Sequence, residues 1–177
     1  MSAVLKEQPA SNLRGINNLD KPDFVAALGG VFEHSAWVAS QAWHARPFAT
    51  IDALHDAMIR SVRSADRGVQ LAFLRGHPEL AGKEAQAGTM TDHSTAEQAG
   101  LNALSHEEMR SLQWLNAAYA AKHGFPFIIA VLANTKSQIF QALHTRLDNE
   151  TEDELVAAID QIAIITRLRL GRLLGAP

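Results

Sequence analysis

Apolar residues recur along most of this chain at spacings of three and four, which places them on one face of an α-helix. The pattern is clearest near the C-terminus. At about 100° per residue, one face of the last predicted helix collects Leu155, Ile159, Ile162, Thr166, Arg169 and Leu173. Arg167 and Arg172 point away from the centre of that face. The pattern therefore predicts a long amphipathic helix with Arg169 on its core side.

A buried Arg169 needs a partner, because an unpaired charge away from water is costly. One interpretation is a structural ion pair, or a side chain that extends its charged end to solvent. The other is a site in which the guanidinium binds the carboxylate or carbonyl of a ligand. The pattern leaves both open.

Capping residues and helix breakers divide the rest of the chain, and in all about seven or eight helices are predicted. They begin near Asp20, Ser35, Thr50, Asp66, Ser94, Ser105, Thr135 and Thr151. With no pair of strand-like segments, no repeat and no low-complexity linker, the sequence predicts an all-α, single-domain helical bundle over residues 16–177. Residues 1–15 include Pro9 and Gly15, and we expect a flexible N-terminal arm, loosely held as far as about residue 17.

The run from Phe125 to Leu132 is apolar throughout and carries Pro126 near its start. It has no second strand-like segment to pair with. We therefore expect an extended entry that leads into a buried helix, with backbone amides that a ligand could reach.

Charge and composition exclude several classes of partner. The formal net charge is −3 with acidic and basic residues interspersed, so no basic stripe matches a phosphate backbone. No apolar run reaches the 18 or so residues that cross a bilayer, and the N-terminus lacks a signal-peptide pattern. The chain has no cysteine, which excludes disulfides, thiolate metal sites and cysteine nucleophiles. We expect a soluble, cytoplasmic protein with no nucleic-acid or membrane partner.

The densest group of proton-handling side chains lies between Gly76 and Gln98. Pro78 should end the preceding helix at about Gly76, which leaves His77 at the helix exit. There an imidazole can transfer a proton near neutral pH, or it can simply cap the last carbonyls of the helix.

Ser94 and Glu97 have the spacing of a capping box, which would make both residues structural. A helix N-terminus also suits an anionic ligand or a buried carboxylate, so both interpretations stay open. The remaining histidines have no metal-ligand spacing, and we expect them at the surface or in caps: His34, His44, His55, His93, His106, His123 and His144. No metal site is predicted.

Eight short motifs, in order, carry a family resemblance that covers about residues 16–174. They are Phe32-Glu33-His34-Ser35-Ala36-Trp37-Val38, Arg46-Pro47-Phe48, His77-Pro78-Glu79-Leu80-Ala81-Gly82, Ser94-Thr95-Ala96-Glu97-Gln98, Leu115-Asn116-Ala117-Ala118-Tyr119, Gly124-Phe125-Pro126-Phe127-Ile128, Arg146-Leu147-Asp148-Asn149 and Leu168-Arg169-Leu170. With these motifs the chain resembles the bacterial 2-oxo-4-hydroxy-4-carboxy-5-ureidoimidazoline (OHCU) decarboxylases of urate degradation.

The resemblance implies an all-helical homodimer that converts OHCU to (S)-allantoin and carbon dioxide without a cofactor. It places the catalytic groups at His77, Glu97 and Arg169. The further substrate contacts that it implies are Pro78, Ser94, Thr95, Ala96 and Gln98, with the backbone of Phe127, Ile128, Ile129, Ala130 and Val131.

Three features depart from the family pattern. Ala36 stands where proline is expected, His123 stands where phenylalanine is expected, and the segment Gln98-Ala99-Gly100-Leu101 is shorter than usual. The shorter segment could tilt the helix that carries Glu97, or change the substrate to a related ureido or hydantoin acid. A further alternative is a non-catalytic helical interaction domain, in which Arg169 is paired within the protein.

Overall fold

The computed structural model describes residues 12–175, apart from the side chains of Glu84 and Asn102. Ten α-helices lie in this part of the chain, and no strand occurs in it. The helices are α1 Leu13–Asn18, α2 Lys21–Leu28, α3 Ala36–Ala42, α4 Ile51–Arg63, α5 Arg67–Arg75, α6 Lys83–Ala87, α7 Asp92–Gln98, α8 His106–His123, α9 Lys136–Leu147 and α10 Thr151–Leu174. The predicted all-α fold is therefore confirmed. Within the described range no helix is long and apolar enough to span a membrane.

The described residues form two compact units. The first unit contains the residues up to Val62 together with those from Thr166 onward, and the second contains Arg63–Ile165. Helix α10 thus contributes its first part to the second unit and its last part to the first unit. The sequence predicts one domain because no linker or change in composition marks either boundary.

The first unit is built around helices that begin where capping residues predict. Asp20 accepts a hydrogen bond from the Asp23 N–H at 3.0 Å, and α2 begins directly after it. Helix α2 packs against α3 and buries Phe24 and Leu28 completely. The buried face of α10 in this unit is centred on Leu170, so Leu173 is exposed instead of buried as predicted.

Residues 13–17 form a helix, where a loosely held chain was expected. The side chain of Asn12 accepts a hydrogen bond from Gly15 at 2.9 Å and caps α1, and Ile16 is buried. The apolar anchor at Ile16 fixes this helix to its unit. The rest of the predicted arm, residues 1–11, lies outside the described residues.

The second unit contains the capping motifs that the sequence predicts most clearly. Ser105 and Glu108 form a reciprocal capping box at the start of α8, and Gly124 ends that helix with a φ of +80°. Thr135 and Gln138 form a second box at the start of α9. Helices α8 and α9 pack against each other.

The apolar run after Gly124 is extended as predicted, but no buried helix follows it. Residues 126–130 have no regular structure, and only a short 3₁₀ helix, Val131–Ala133, follows. Side chains bind the backbone here: the Ala130 N–H donates to Gln161 at 3.0 Å, and the Ala130 carbonyl accepts from Asn134 at 2.8 Å. The prediction of a helix was wrong because these contacts replace helical hydrogen bonds.

A buried carboxylate holds several elements of the second unit together. Glu154, which is fully buried, accepts hydrogen bonds from Tyr119, Asn149 and Arg146. Arg146 also donates to the Ile128 carbonyl at 2.8 Å and lies over the Phe127 ring. Burial opposes ionisation of Glu154, but the hydrogen bonds from Arg146, Tyr119 and Asn149 outweigh it and keep its pKa below the ordinary value.

The substitution Glu154→Gln should lower the free energy of unfolding by about 3 kcal/mol, because it leaves the charge of Arg146 without its buried partner. Urea unfolding at pH 7 measures this loss. Glu152→Gln is the matched control, since Glu152 pairs with Arg67 at the surface and should cost less than about 1 kcal/mol. Equal effects of the two substitutions would contradict the role of Glu154.

His123 is buried in the same unit, although a surface or capping position was expected. Its ring lies 4.4 Å from the Tyr119 ring, and its Nδ1 is 3.0 Å from the Thr151 hydroxyl. Burial lowers the pKa of His123, and the nearby charge of Lys122 acts in the same direction, while Glu154 partly opposes the shift. The sequence does not predict this burial, because a histidine in the last helical turn usually caps the helix.

The lowered pKa of His123 predicts a loss of stability in acid. As the pH falls below about 6.5, the unfolded chain binds a proton at this residue while the folded chain does not, until the lower folded pKa is reached. His123→Phe should therefore reduce the fall in melting temperature between pH 7.5 and pH 5. Thermal unfolding across this range measures the effect. His144→Phe, at an exposed histidine, should leave the fall unchanged.

Candidate functional site

The loop that carries His77 begins where the sequence predicts. Helix α5 ends at Arg75, Gly76 follows as its cap, and the His77 N–H donates to the Leu74 carbonyl at 3.1 Å. The His77 side chain is half-buried, and Pro78 behind it is buried. A proline at this place fixes the direction in which the chain leaves the helix.

Three side-chain amides hold the backbone beyond Pro78. Asn116 donates to the Leu80 carbonyl at 2.9 Å, and the Ala81 N–H donates to Gln98 Oε1 at 2.9 Å. Gln86 donates to the Ala81 carbonyl at 3.1 Å. Asn116 has no role in the sequence prediction, although it lies in one of the motifs that carry the resemblance. These bonds attach the loop to α6, α7 and α8.

Glu79 is a carboxylate in this loop that has no role in the sequence prediction. It is half-buried, and burial raises its pKa, while a hydrogen bond with Asn116 and the charge of Lys83 partly offset the rise. Its position next to Asn116 places an acid with a raised pKa two residues from His77.

Ser94 and Glu97 do not form the capping box that their spacing predicts. Helix α7 begins at Asp92, and the Thr91 hydroxyl is its cap, accepting from the Ser94 N–H at 3.3 Å. The prediction was wrong because Thr91 begins the helix three residues earlier. Ser94 and Glu97 therefore lie inside the helix, and both are buried together with Gln98. Thr95 and Ala96 are exposed.

The apolar segment after α8 lies beside α7. Phe127, Ile128, Ile129 and Ala130 are buried, and Val131 is half-buried. Helix α7 packs against the 3₁₀ helix Val131–Ala133 that follows the segment. The second unit thus brings together the His77 loop, the buried face of α7 and the end of the apolar segment.

Arg169 belongs to the first unit, where it forms a buried ion pair. It is 1% exposed, and its Nη1 lies 2.8 Å from Glu33 Oε2 and 3.3 Å from the Val31 carbonyl. Arg169 therefore has a buried ion-pair partner, Glu33, that the sequence did not predict. The available signal was the position of Glu33 in a motif of the family resemblance. A common site for Arg169, His77 and Glu97 stays a prediction.

A cavity of about 290 Å³ lies in the second unit, bordered by α6, α7 and α8. Its lining is mostly apolar, with two amides and one hydroxyl, and consists of Ala81, Ala85, Gln86, Met90, Thr95, Gln98, Leu101 and Met109. Thr95 and Gln98 are predicted substrate contacts. Within the described part of the chain, no group of three or more His, Asp or Glu side chains could hold a metal ion.

These features define an all-α protein in which the loop that carries His77 is hydrogen-bonded to α7, the helix that carries Glu97. The OHCU decarboxylase family model matches residues 17–171, and the chain belongs to this family. The OHCU decarboxylase of Haloferax volcanii is 41% identical over 161 residues, which cover 90% of this chain and 94% of that protein. That of Xenopus laevis is 36% identical, covering 90% and 92%. The resemblance therefore extends beyond bacteria.

Two solved structures have a similar fold. A crystal structure of (S)-allantoin synthase matches with a TM-score of 0.72 and 27% identity, and the match covers 92% of this chain and 54% of that one. A crystal structure of OHCU decarboxylase in the presence of (S)-allantoin matches with a TM-score of 0.66 and 22% identity, covering 89% and 99%. The second similarity bears on the fold alone.

Because Arg169 and Glu33 form a buried ion pair, removal of either charge should lower the stability of the folded protein strongly. Glu33→Gln should lower the free energy of unfolding by about 3 kcal/mol, since it leaves a buried guanidinium without its counter-charge. A double-mutant cycle with Arg169→Met, followed by urea unfolding, measures the coupling. Asp52→Asn is the control: Asp52 pairs with Arg167 at the surface of the same unit and should cost less than about 1 kcal/mol.

Proposed function

We propose that this chain decarboxylates OHCU to (S)-allantoin and carbon dioxide in urate degradation, with the catalytic machinery in residues 16–177. Membership of the family over residues 17–171 supports the reaction class. The observation that carries the proposal is the hydrogen bond between Ala81 and Gln98, which attaches the His77 loop to the helix that carries Glu97.

The chemistry of OHCU favours a reaction without a cofactor. The carboxylate sits on a ring carbon next to a carbon–nitrogen double bond. When the bond to the carboxylate breaks, its electron pair moves toward that double bond, carbon dioxide leaves, and a proton is returned to the ring. The substrate thus supplies its own electron sink. The protein has to orient the ring, transfer protons and replace water around a carboxylate that loses its charge.

The proposed roles follow from the chemistry of each side chain. His77 exchanges a proton with the 4-hydroxyl group or with the nascent carbanion, and Glu97 orients His77 or binds the ureido N–H groups. Arg169 holds a carbonyl or the departing carboxylate, and its ion pair with Glu33 fixes the guanidinium before the substrate binds.

The remaining predicted contacts fix the ring and hence the handedness of the product. They are Pro78, Ser94, Thr95, Ala96 and Gln98, with the backbone from Phe127 to Val131. The Gln98 carbonyl oxygen accepts from the Ala81 N–H, and the amide N–H groups of Gln98 would donate to an acceptor on the substrate.

We also propose that the chain works as a homodimer in the cytoplasm, without nucleic-acid or membrane partners. Ile164 and Leu168 lie four residues apart on α10 and are 43% and 42% exposed. We place this pair in the proposed contact between subunits, because contiguous exposed apolar surface is typical of protein interfaces. The absence of cysteine is compatible with a reducing compartment, and the net charge of −3 disfavours binding to phosphate backbones.

The rival function is a non-catalytic helical interaction domain. One observation favours it, because this interpretation predicts that Arg169 is paired within the protein, and Glu33 supplies that pair. A third candidate is decarboxylation of a related ureido or hydantoin acid. An activity assay separates these functions.

The test is to generate OHCU in situ from urate and follow optical activity as allantoin forms. The wild-type protein should accelerate the reaction and give one enantiomer. His77→Asn and Glu97→Gln should each lose at least about a hundredfold in rate, because a group that transfers or directs a proton is missing. Their melting temperatures should stay close to that of the wild type.

His93→Asn and Glu107→Gln are matched controls at exposed positions and should keep the full rate. A wild-type protein without acceleration would refute the proposed function. If Glu97→Gln lost stability but kept its rate, Glu97 would be structural.

A further inference from the structure

We propose that Gln86 and Asn116 are positioning residues, which hold Ala81 in a left-handed conformation and thereby fix the loop that presents His77. The inference rests on the proposed function, in which His77 on this loop transfers a proton. It concerns two residues whose side chains bind the loop backbone.

Ala81 has a backbone conformation that alanine rarely adopts. Its φ is +47°, in the left-handed region that glycine occupies without steric cost. An alanine stays there only when its surroundings determine the conformation. The neighbouring Gly82 would not tolerate a side chain, since a Cβ there would lie 2.8 Å from the Cβ of Glu79.

Hydrogen bonds hold both peptide groups that flank the Ala81 Cα. The peptide between Leu80 and Ala81 has its carbonyl bound by Asn116 and its N–H bound to Gln98. The peptide between Ala81 and Gly82 has its carbonyl bound by Gln86 and its N–H bound to the Glu79 carbonyl at 3.2 Å. Because φ and ψ describe the rotation of these two planes, the four bonds together determine the conformation of Ala81.

The clamped turn Glu79–Gly82 begins directly after His77 and Pro78. On the other side, the His77 N–H is bound to the carbonyl of Leu74 in α5. His77 therefore lies between a helix end and a turn with fixed peptide planes. A small misplacement of a proton-transfer group lowers the reaction rate strongly. The fixed backbone on both sides of His77 therefore serves to orient its imidazole.

The first test compares Gln86→Ala and Asn116→Ala with Gln113→Ala, a control at an exposed glutamine of α8. Each clamp variant should lower kcat about tenfold with little change in KM, because His77 moves while substrate contacts remain. The control should keep the wild-type kcat. Asn116 is buried, and if Asn116→Ala does not fold, the exposed Gln86 still provides the test.

The second test asks whether glycine rescues the clamp variant. Ala81→Gly removes the steric cost of the left-handed conformation, so the double variant Ala81→Gly with Gln86→Ala should recover most of the lost kcat. The control is the double variant Ala120→Gly with Gln86→Ala, in which the glycine is at a right-handed helical position. It should recover none of the lost kcat. A Gln86→Ala variant with wild-type kcat, or recovery with Ala120→Gly, would overturn the proposal.

A readout independent of activity separates this proposal from the proposed function. Amide hydrogen exchange at Ala81 and Gly82 should be faster in Gln86→Ala, and the NMR signals of the His77 ring should shift. These changes are expected even if the wild-type protein does not decarboxylate OHCU, an outcome that would refute only the function. Unchanged exchange and unchanged His77 signals would overturn the clamp.

Discussion

The hydrogen bond from the Ala81 N–H to the side-chain carbonyl of Gln98 connects two segments that are 17 residues apart in the sequence. Both groups are buried, and each would be costly to leave without a partner. The bond therefore fixes the turn after His77 against α7, whose buried face carries Ser94 and Glu97. Such a cross-connection gives the imidazole on the loop and the carboxylate on the helix a defined relation.

Buried ion pairs have a related role in both units. Arg146 pairs with Glu154 and donates to the Ile128 carbonyl, and Arg169 pairs with Glu33 and donates to the Val31 carbonyl. In each pair a guanidinium with several fixed donors binds a carboxylate and a backbone carbonyl at once. Because desolvation offsets much of the attraction in a buried pair, the main consequence is a fixed geometry and not extra stability.

The sequence predicts helix positions well where a local signal determines them. The capping box at Ser105 and the glycine stop at Gly124 are examples, since each depends on residues within one turn. The same logic failed at Ser94, because Thr91 offers an equally good cap three residues earlier, and local chemistry alone does not choose between them.

Partners that are distant in the sequence were beyond local prediction. Periodicity placed Arg169 on a buried face, but nothing in the pattern identified Glu33, which is 136 residues away. The amide clamp on Ala81 was missed for the same reason, since its donors and acceptor come from three helices. Family motifs contained Glu33 and Asn116 without assigning them a role.

A crystal structure of this protein with (S)-allantoin bound would test most directly whether His77, Glu97 and Arg169 serve one small molecule. We expect the product within hydrogen-bond distance of all three side chains, with the Gln98 amide N–H groups on one of its carbonyls. Allantoin bound only in the cavity beside Thr95 and Met109, away from His77 and Arg169, would contradict the shared site.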